Sequence, residues 1–207
     1  MDPRRHSPAA ERNKEPILKC LSDMLGARGS MLEIASGSGQ HVVHLARAMP
    51  KWTFLPTDMD ADALRSIEAL RGDSGLPNIS PAIHLDISTS GWSQPLEEQV
   101  FDAMLCINMV HIAPWEATVR WLAECTKVLS PGGVLVLYGP YKRNGRPTSP
   151  GNRNFDSMLR QQAAHMGLRD LEKIEKLAAE QGFRRFEPID MPANNLLLRF
   201  ELPPEPR

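Results

Sequence analysis

In Met31-Leu-Glu-Ile-Ala-Ser-Gly-Ser-Gly-Gln40 a short apolar run ends in glycines and passes directly into a helical pattern. This reads as the first strand, the turn and the helix start of a nucleotide-binding α/β unit. Gly37 and Gly39 can take φ > 0 and carry no Cβ, so backbone can approach a ligand closely while the next helix presents free N–H groups.

On the N-terminal side, residues 1–10 are polar, carry two prolines and are expected to be mobile. The spacing of Ile17, Leu18, Leu21, Met24 and Leu25 predicts a helix over 9–25, ended by Gly26 or Gly29. Pro16 falls inside that span and predicts a break, with 9–15 as a separate short element.

On the C-terminal side, Val42, Val43, Leu45 and Ala46 recur at helical spacing up to Pro50. Residues 52–57 read as a second strand ending at Asp58, and Asp60 as the cap of a helix reaching about 70. A third strand is expected over 79–85, ending in Asp86, and a linker over 91–99. The apolar run 100–107 suits a buried parallel strand. A helix over 115–129, a glycine turn at 130–133 and a fifth strand over 134–138 follow. Residues 139–153 read as a long loop carrying Tyr141, Lys142, Arg143, Arg146 and Arg153, the three arginines facing solvent. A helix over 170–181 and strands over 183–189 and 196–202 close the chain, with 203–207 expected to be flexible.

Strands alternating with helices imply a Rossmann-like α/β fold: a seven-stranded, mostly parallel sheet with helices on both faces and a C-terminal antiparallel strand. At 207 residues and 42% hydrophobic content, one domain over 1–207 is expected. The formal charge of −1 gives no net drive toward nucleic acid or an anionic membrane. No apolar run approaches a membrane span, and the N-terminus lacks an apolar signal core. Cys20, Cys106 and Cys125 are odd in number and widely spaced, which suits unpaired thiols in a reducing compartment. The expectation is a cytoplasmic protein, with the nucleus left open.

In such a sheet ligands bind at the carboxyl ends of the strands. Glu33 lies at the first of those ends, Asp58 at the second, Asp86 at the third, and Asn108 follows the fourth. An acid after the second strand, beside a glycine turn after the first, is placed to accept two hydrogen bonds from a ribose diol.

Glu33-Ile-Ala-Ser-Gly-Ser-Gly39 resembles the first motif of class I S-adenosylmethionine-dependent methyltransferases. Asp58, His84-Leu-Asp86 and Leu129-Ser-Pro-Gly-Gly133 fall where later motifs of that superfamily are expected. Ala9-Ala-Glu-Arg-Asn-Lys-Glu-Pro-Ile-Leu18, Tyr138-Gly-Pro-Tyr141, Gly167-Leu-Arg-Asp170 and Met191-Pro-Ala-Asn-Asn195 look like the methyltransferase-like 26 family. The resemblance spans nearly the whole chain.

It implies S-adenosyl-L-methionine as cofactor, leaving as S-adenosyl-L-homocysteine, with no metal. Glu33 would orient the turn and the ligand's ammonium; Gly37 and Gly39 would make room for the methionine and ribose portions, with Ala35 also among the cofactor-binding residues. Asp58 would hold the ribose hydroxyls and Asp86 the adenine amino group. Met59 and Ile87 would pack on the ring faces, and Asn108 would complete the set. The sequence departs from the pattern at the last glycine, where Gln40-His41 follows Gly39.

On the acceptor side the candidates are His111 as a base, Asn13 as a positioning group, Tyr141 and Arg12. The acceptor is expected to be a small molecule, because the fourth strand ends Ile107-Asn-Met-Val-His111 without the Asn/Asp-Pro-Pro-aromatic pattern. A protein side chain is the second choice. Two rivals are a catalytically silent S-adenosylmethionine-binding or protein-interaction module, and an NAD(P)-dependent oxidoreductase. The latter needs a third glycine where this chain has Val42.

Overall fold

The computed structural model describes residues 2–96 and 98–205; position 1 and positions 206–207 of the ends expected to be flexible lie outside it. The chain divides into two compact units, Met1–Asp86 with Phe101–Cys106, and Ile87–Val100 with Ile107–Arg207. Seven strands belong to one mostly parallel sheet with a C-terminal antiparallel pair, as the alternation of elements predicts.

The first unit opens with α1 (Pro8–Met24), capped by Ser7, whose side chain accepts the Ala10 amide. Then come β1 (Gly29–Ile34), α2 (Gln40–Ala48), β2 (Trp52–Asp58), α3 (Ala61–Ser74), β3 (Ile83–His84) and β4 (Phe101–Ile107). Its strands run in the order β3-β2-β1-β4. β1 pairs in parallel with both β2 and β4, Glu33 standing opposite Pro56 on one side and Leu105 on the other. Both neighbours are parallel and buried, so the strands read as continuous apolar runs instead of alternating ones.

The break expected at Pro16 does not occur: α1 is one helix with Pro16 inside it. Proline there removes one helical hydrogen bond and crowds the preceding turn, a cost of about 3 kcal/mol. Ile17 and Leu21 on the same helix are fully buried, and each such side chain contributes about 1.5–3 kcal/mol. Packing therefore outweighs the proline penalty. The third strand is shorter than expected, two residues at Ile83–His84 with an isolated bridge from Ile79 to Phe54. Pro81, which has no N–H to donate, lies between them.

The second unit contains α4 (Met109–Ile112), α5 (Trp115–Cys125), β5 (Leu129–Gly139), β6 (Lys142–Arg143), β7 (Arg146–Pro147), α6 (Pro150–Gln162), α7 (Leu171–Glu180), β8 (Arg185–Met191) and β9 (Asn195–Glu201). β5, β9 and β8 are neighbours in that order, both pairings antiparallel. Trp121, Tyr141, Leu197, Leu198 and Ile174 are fully buried in this unit.

The long loop expected over 139–153 is instead a two-stranded hairpin, β6 and β7, followed by the start of α6. Helix α6 differs from the expected loop because its apolar residues, Phe155, Met158 and Leu159, are few although they sit at helical spacing. Its start is written in the sequence nonetheless: the Ser149 side chain accepts the Asn152 amide, and Pro150 occupies the first turn, where a missing N–H costs nothing. The short helix α4 also went unpredicted.

Candidate functional site

In the first unit, β1 delivers the chain into a turn in which Ala35, Gly37 and Gly39 all have positive φ, at 53°, 60° and 85°. Backbone pairing holds this shape: the Ser36 amide donates to Thr57 O at 2.8 Å and the Gly39 amide to Ser36 O at 3.0 Å. Gly39 is required for two reasons. Its φ is left-handed, and a Cβ there would sit 2.9 Å from Ile67 Cα. At Gly37 an added Cβ would meet nothing nearer than Ala35 O at 3.9 Å, so that position faces open space.

Asp58, at the end of β2 and 8% exposed, is tied to the same turn. Its Oδ2 accepts the Gly37 amide and its Oδ1 the Asp60 amide, each at 2.9 Å. One acceptor position remains on each oxygen. Asp60 caps α3 as expected, accepting the Asp62 amide.

Glu33 is 2% exposed, and its Oε2 has no hydrogen-bond partner among the described residues. Burial pushes its carboxyl up to about 8; a hydrogen bond with Ser36 opposes the shift and the nearby Asp58 charge adds to it. A buried carboxyl with an unmet oxygen can accept from a cationic donor, whose charge would favour the ionised form that burial disfavours. The arrangement can thus accept from one ammonium and from a pair of hydroxyls, which fits the methionine and ribose portions implied by the sequence motif. Of the other residues named for the cofactor, Asp86 is half-buried just beyond β3 and Met59 is 60% exposed beside Asp58.

The N-terminal segment is fastened to this turn. Ser7 N donates to Gln40 Oε1 at 2.6 Å, Ser38 Oγ donates to the same oxygen at 3.0 Å, and Gln40 Nε2 donates to Glu11 at 3.2 Å. Arg5 pairs with Asp60 at 2.6 Å while its amide donates to Ser66 Oγ at 2.8 Å. Gln40, which the sequence marks only as a missing glycine, is therefore a clamp. Its departure from the glycine pattern was the signal for it.

Asn13, nominated for the acceptor, is 8% exposed and accepts from His41 Nε2 at 2.8 Å. Burial, with the charges of His44 and Lys14, pushes His41 down to about 4. Neutral His41 thus carries its proton on Nε2 to make this bond.

In the second unit, Asn108 has φ 61° and leads into α4, and its amide donates to Tyr138 O at 2.8 Å. His111 on α4 is 1% exposed, and neither ring nitrogen has a partner among the described residues. Burial and then the Arg169 charge push it down to about 3. Tyr141 is fully buried and meets the imidazole edge-on, ring centroids 5.0 Å apart. Gly139 allows this packing: a Cβ there would lie 2.3 Å from His111 Nε2 and 3.1 Å from Asn108 Oδ1. Ile87 is 8% exposed in this unit, and Arg12 of the first unit is exposed.

Among the described residues no cluster of His, Cys, Asp or Glu is arranged to hold a metal ion, and no helix is long and apolar enough to cross a membrane.

A family model described as Protein of unknown function (DUF938) matches residues 4–202. Among solved structures, an O-methyltransferase family protein from Burkholderia thailandensis aligns with TM-score 0.81 at 15% identity, over 96% of this chain and 58% of that one. Human N-acetylserotonin methyltransferase, in complex with S-adenosylmethionine, aligns with TM-score 0.75 at 15% identity, over 94% and 53%. An O-methyltransferase family 2 protein from Planctomyces limnophilus, in complex with apigenin, aligns with TM-score 0.75 at 18% identity, over 93% and 59%. The chain spans a little over half the length of these structures. At such identities the likeness establishes a shared fold.

Proposed function

The chain belongs to the DUF938 family, whose description carries no activity; from the glycine turn and its acids we propose that it is an S-adenosylmethionine-dependent class I methyltransferase acting on a small-molecule acceptor. The observation that carries the reading is the joint at Asp58: one carboxylate anchors the glycine turn and keeps acceptor positions for a diol, beside a buried Glu33 whose Oε2 has no donor among the described residues. The resemblance of several motifs to the methyltransferase-like 26 family supports the finer assignment. The proposed compartment is the cytoplasm, supported by the odd number and wide spacing of Cys20, Cys106 and Cys125.

S-adenosylmethionine supplies a methyl group already activated on a sulfonium. The residues proposed to hold it are Glu33, Ala35, Gly37, Gly39, Asp58, Met59, Asp86, Ile87 and Asn108. Glu33 takes the ammonium, Asp58 the ribose hydroxyls and Asp86 the adenine amino group. The second unit's part is proton handling. The acceptor's proton is assigned to His111, whose two ring nitrogens have no partner among the described residues, with Tyr141 packed edge-on against the ring. Asn13 is the proposed positioning group; its oxygen is already engaged by His41, which leaves its amide hydrogens for the task.

Calorimetry with S-adenosylmethionine, S-adenosylhomocysteine and NAD tests the donor site. Binding of the first two, lost in a folded Asp58→Ala variant, is the expected result; binding of NAD alone would overturn it.

A donor-binding module without transfer is the second reading, favoured by the burial and weak basicity of His111. Methyl transfer to any member of an acceptor panel excludes it.

A further inference from the structure

The second unit contains a cavity of about 620 Å³ lined by Arg143, Arg146, Thr148, Asp190, Asn194 and Asn195, with Pro147, Met191 and Leu196 supplying apolar wall. The geometry points to this cavity as a binding site for a small molecule that carries an oxyanion, a carboxylate or a phosphate, on an apolar body. The inference does not depend on the methyltransferase reading.

The two arginines are held face to face by the backbone. Asn144 and Gly145 both have positive φ, at 50° and 73°, as the central residues of a tight hairpin turn require. The residues flanking the turn, Arg143 and Arg146, are therefore direct cross-strand partners. Like charges directly opposite one another destabilise a hairpin. The local counter-charge is small: Arg143 reaches Asp190 at 3.3 Å, with the Asp190 side chain 92% exposed. Arg146 makes no side-chain hydrogen bond or ion pair among the described residues. Two guanidiniums face one solvent-exposed acid, which leaves the cavity one positive charge in excess. An oxyanion placed between them would relieve the repulsion and accept from both forks.

The opposite wall is constrained as well. Ala193 and Asn194, in the short connection between β8 and β9, hold φ of 59° and 56°; for Ala193 that conformation costs about 1–2 kcal/mol. A single buried amide fixes this lip to the hairpin. Asn152, 6% exposed near the start of α6, donates from Nδ2 to Asn194 O at 2.9 Å and to Thr148 Oγ1 at 2.8 Å. The hairpin tip is pinned too, the Asn144 amide donating to Glu172 Oε1 at 3.0 Å. Strained backbone kept in place by a buried polar anchor is the pattern found at ligand clamps.

The test uses the full chain and three probes: inorganic phosphate, acetate and benzoate, titrated by calorimetry and by chemical-shift perturbation at low salt. Benzoate should bind more tightly than acetate because of the apolar wall, and rising salt should weaken all three. Arg143→Ala and Arg146→Ala should each weaken binding at least about tenfold, the loss expected for one charge-assisted contact. Asp190→Asn should tighten it by freeing Arg143. Asn152→Ala should weaken it with both arginines intact, and Arg47→Ala, in the first unit, should leave it unchanged. Melting temperature confirms that each variant is folded. Absence of binding at millimolar probe, equal loss in Arg47→Ala, or persistence of binding in the Arg143→Ala/Arg146→Ala double variant would overturn the assignment.

Discussion

The Gly37 amide donates to Asp58 Oδ2 at 2.9 Å, so the turn after β1 and the acid at the end of β2 form one piece. A carboxylate held in this way keeps its orientation when a ligand arrives, and the ordering cost falls on folding instead of on binding.

The two glycines of the turn should respond differently to substitution. Gly37→Ala meets open space and bears only the left-handed backbone penalty, about 1–2 kcal/mol. Gly39→Ala adds a 2.9 Å approach to Ile67 Cα and should cost clearly more, with visible loss of folded protein. Urea denaturation of both variants checks the order; a Gly39→Ala protein as stable as Gly37→Ala would contradict it.

Glu33 should make stability fall with rising pH. Its folded carboxyl is raised to about 8 from an ordinary value of 4.5, so the contribution is complete below pH 4.5 and is lost as pH climbs through 8. Glu33→Gln removes the ionisation while keeping the shape. The expected outcome is that the variant gains on the parent in melting temperature between pH 6 and pH 9. Parallel curves would refute the buried ionisation.

His41 and His111 should act in the opposite direction. Both are lowered, to about 4 and about 3, so their contributions are present above pH 6.5 and disappear as pH falls through those values. Phe replacements at either site should flatten the acid limb of a stability profile, whatever they do to its height. For transfer, His111→Ala should leave donor affinity intact and lower turnover by roughly a hundredfold or more if the imidazole takes the proton. No inflection from His111 is expected in the rate between pH 5 and 8. Unchanged turnover would remove it from the mechanism.

Pro16→Ala should stabilise the protein. It restores an N–H to a helix that continues through the position, and a gain of about 1–2 kcal/mol corresponds to roughly 2–8 °C in melting temperature for a chain of this size. A fall in melting temperature would mean that the ring itself packs in a way alanine does not replace.

The strands β1, β2, β4 and β5 were legible in the sequence because strands buried on both faces of a sheet must be continuous apolar runs. The acids at Glu33 and Asp58 were legible because strand ends are fixed by those runs; Asp86 was placed at the end of a third strand that in the structure stops at His84. Local chemistry also fixed the Asp60 cap and the glycine turn, since helix starts and left-handed backbone are demanded within a few residues. Only the tertiary structure decided the rest. Whether Pro16 breaks α1 depends on what Ile17 and Leu21 are buried against, and a local pattern does not contain that. That Glu33 Oε2 and the two nitrogens of His111 have no partner among the described residues depends on what surrounds them, so composition and spacing are silent about both. Arg143 and Arg146 read as solvent-facing charges until the hairpin sets them opposite each other and Asn152 ties that hairpin to Asn194, 42 residues away. Secondary structure follows from neighbours along the chain; burial, charge balance and pKa follow from neighbours in space.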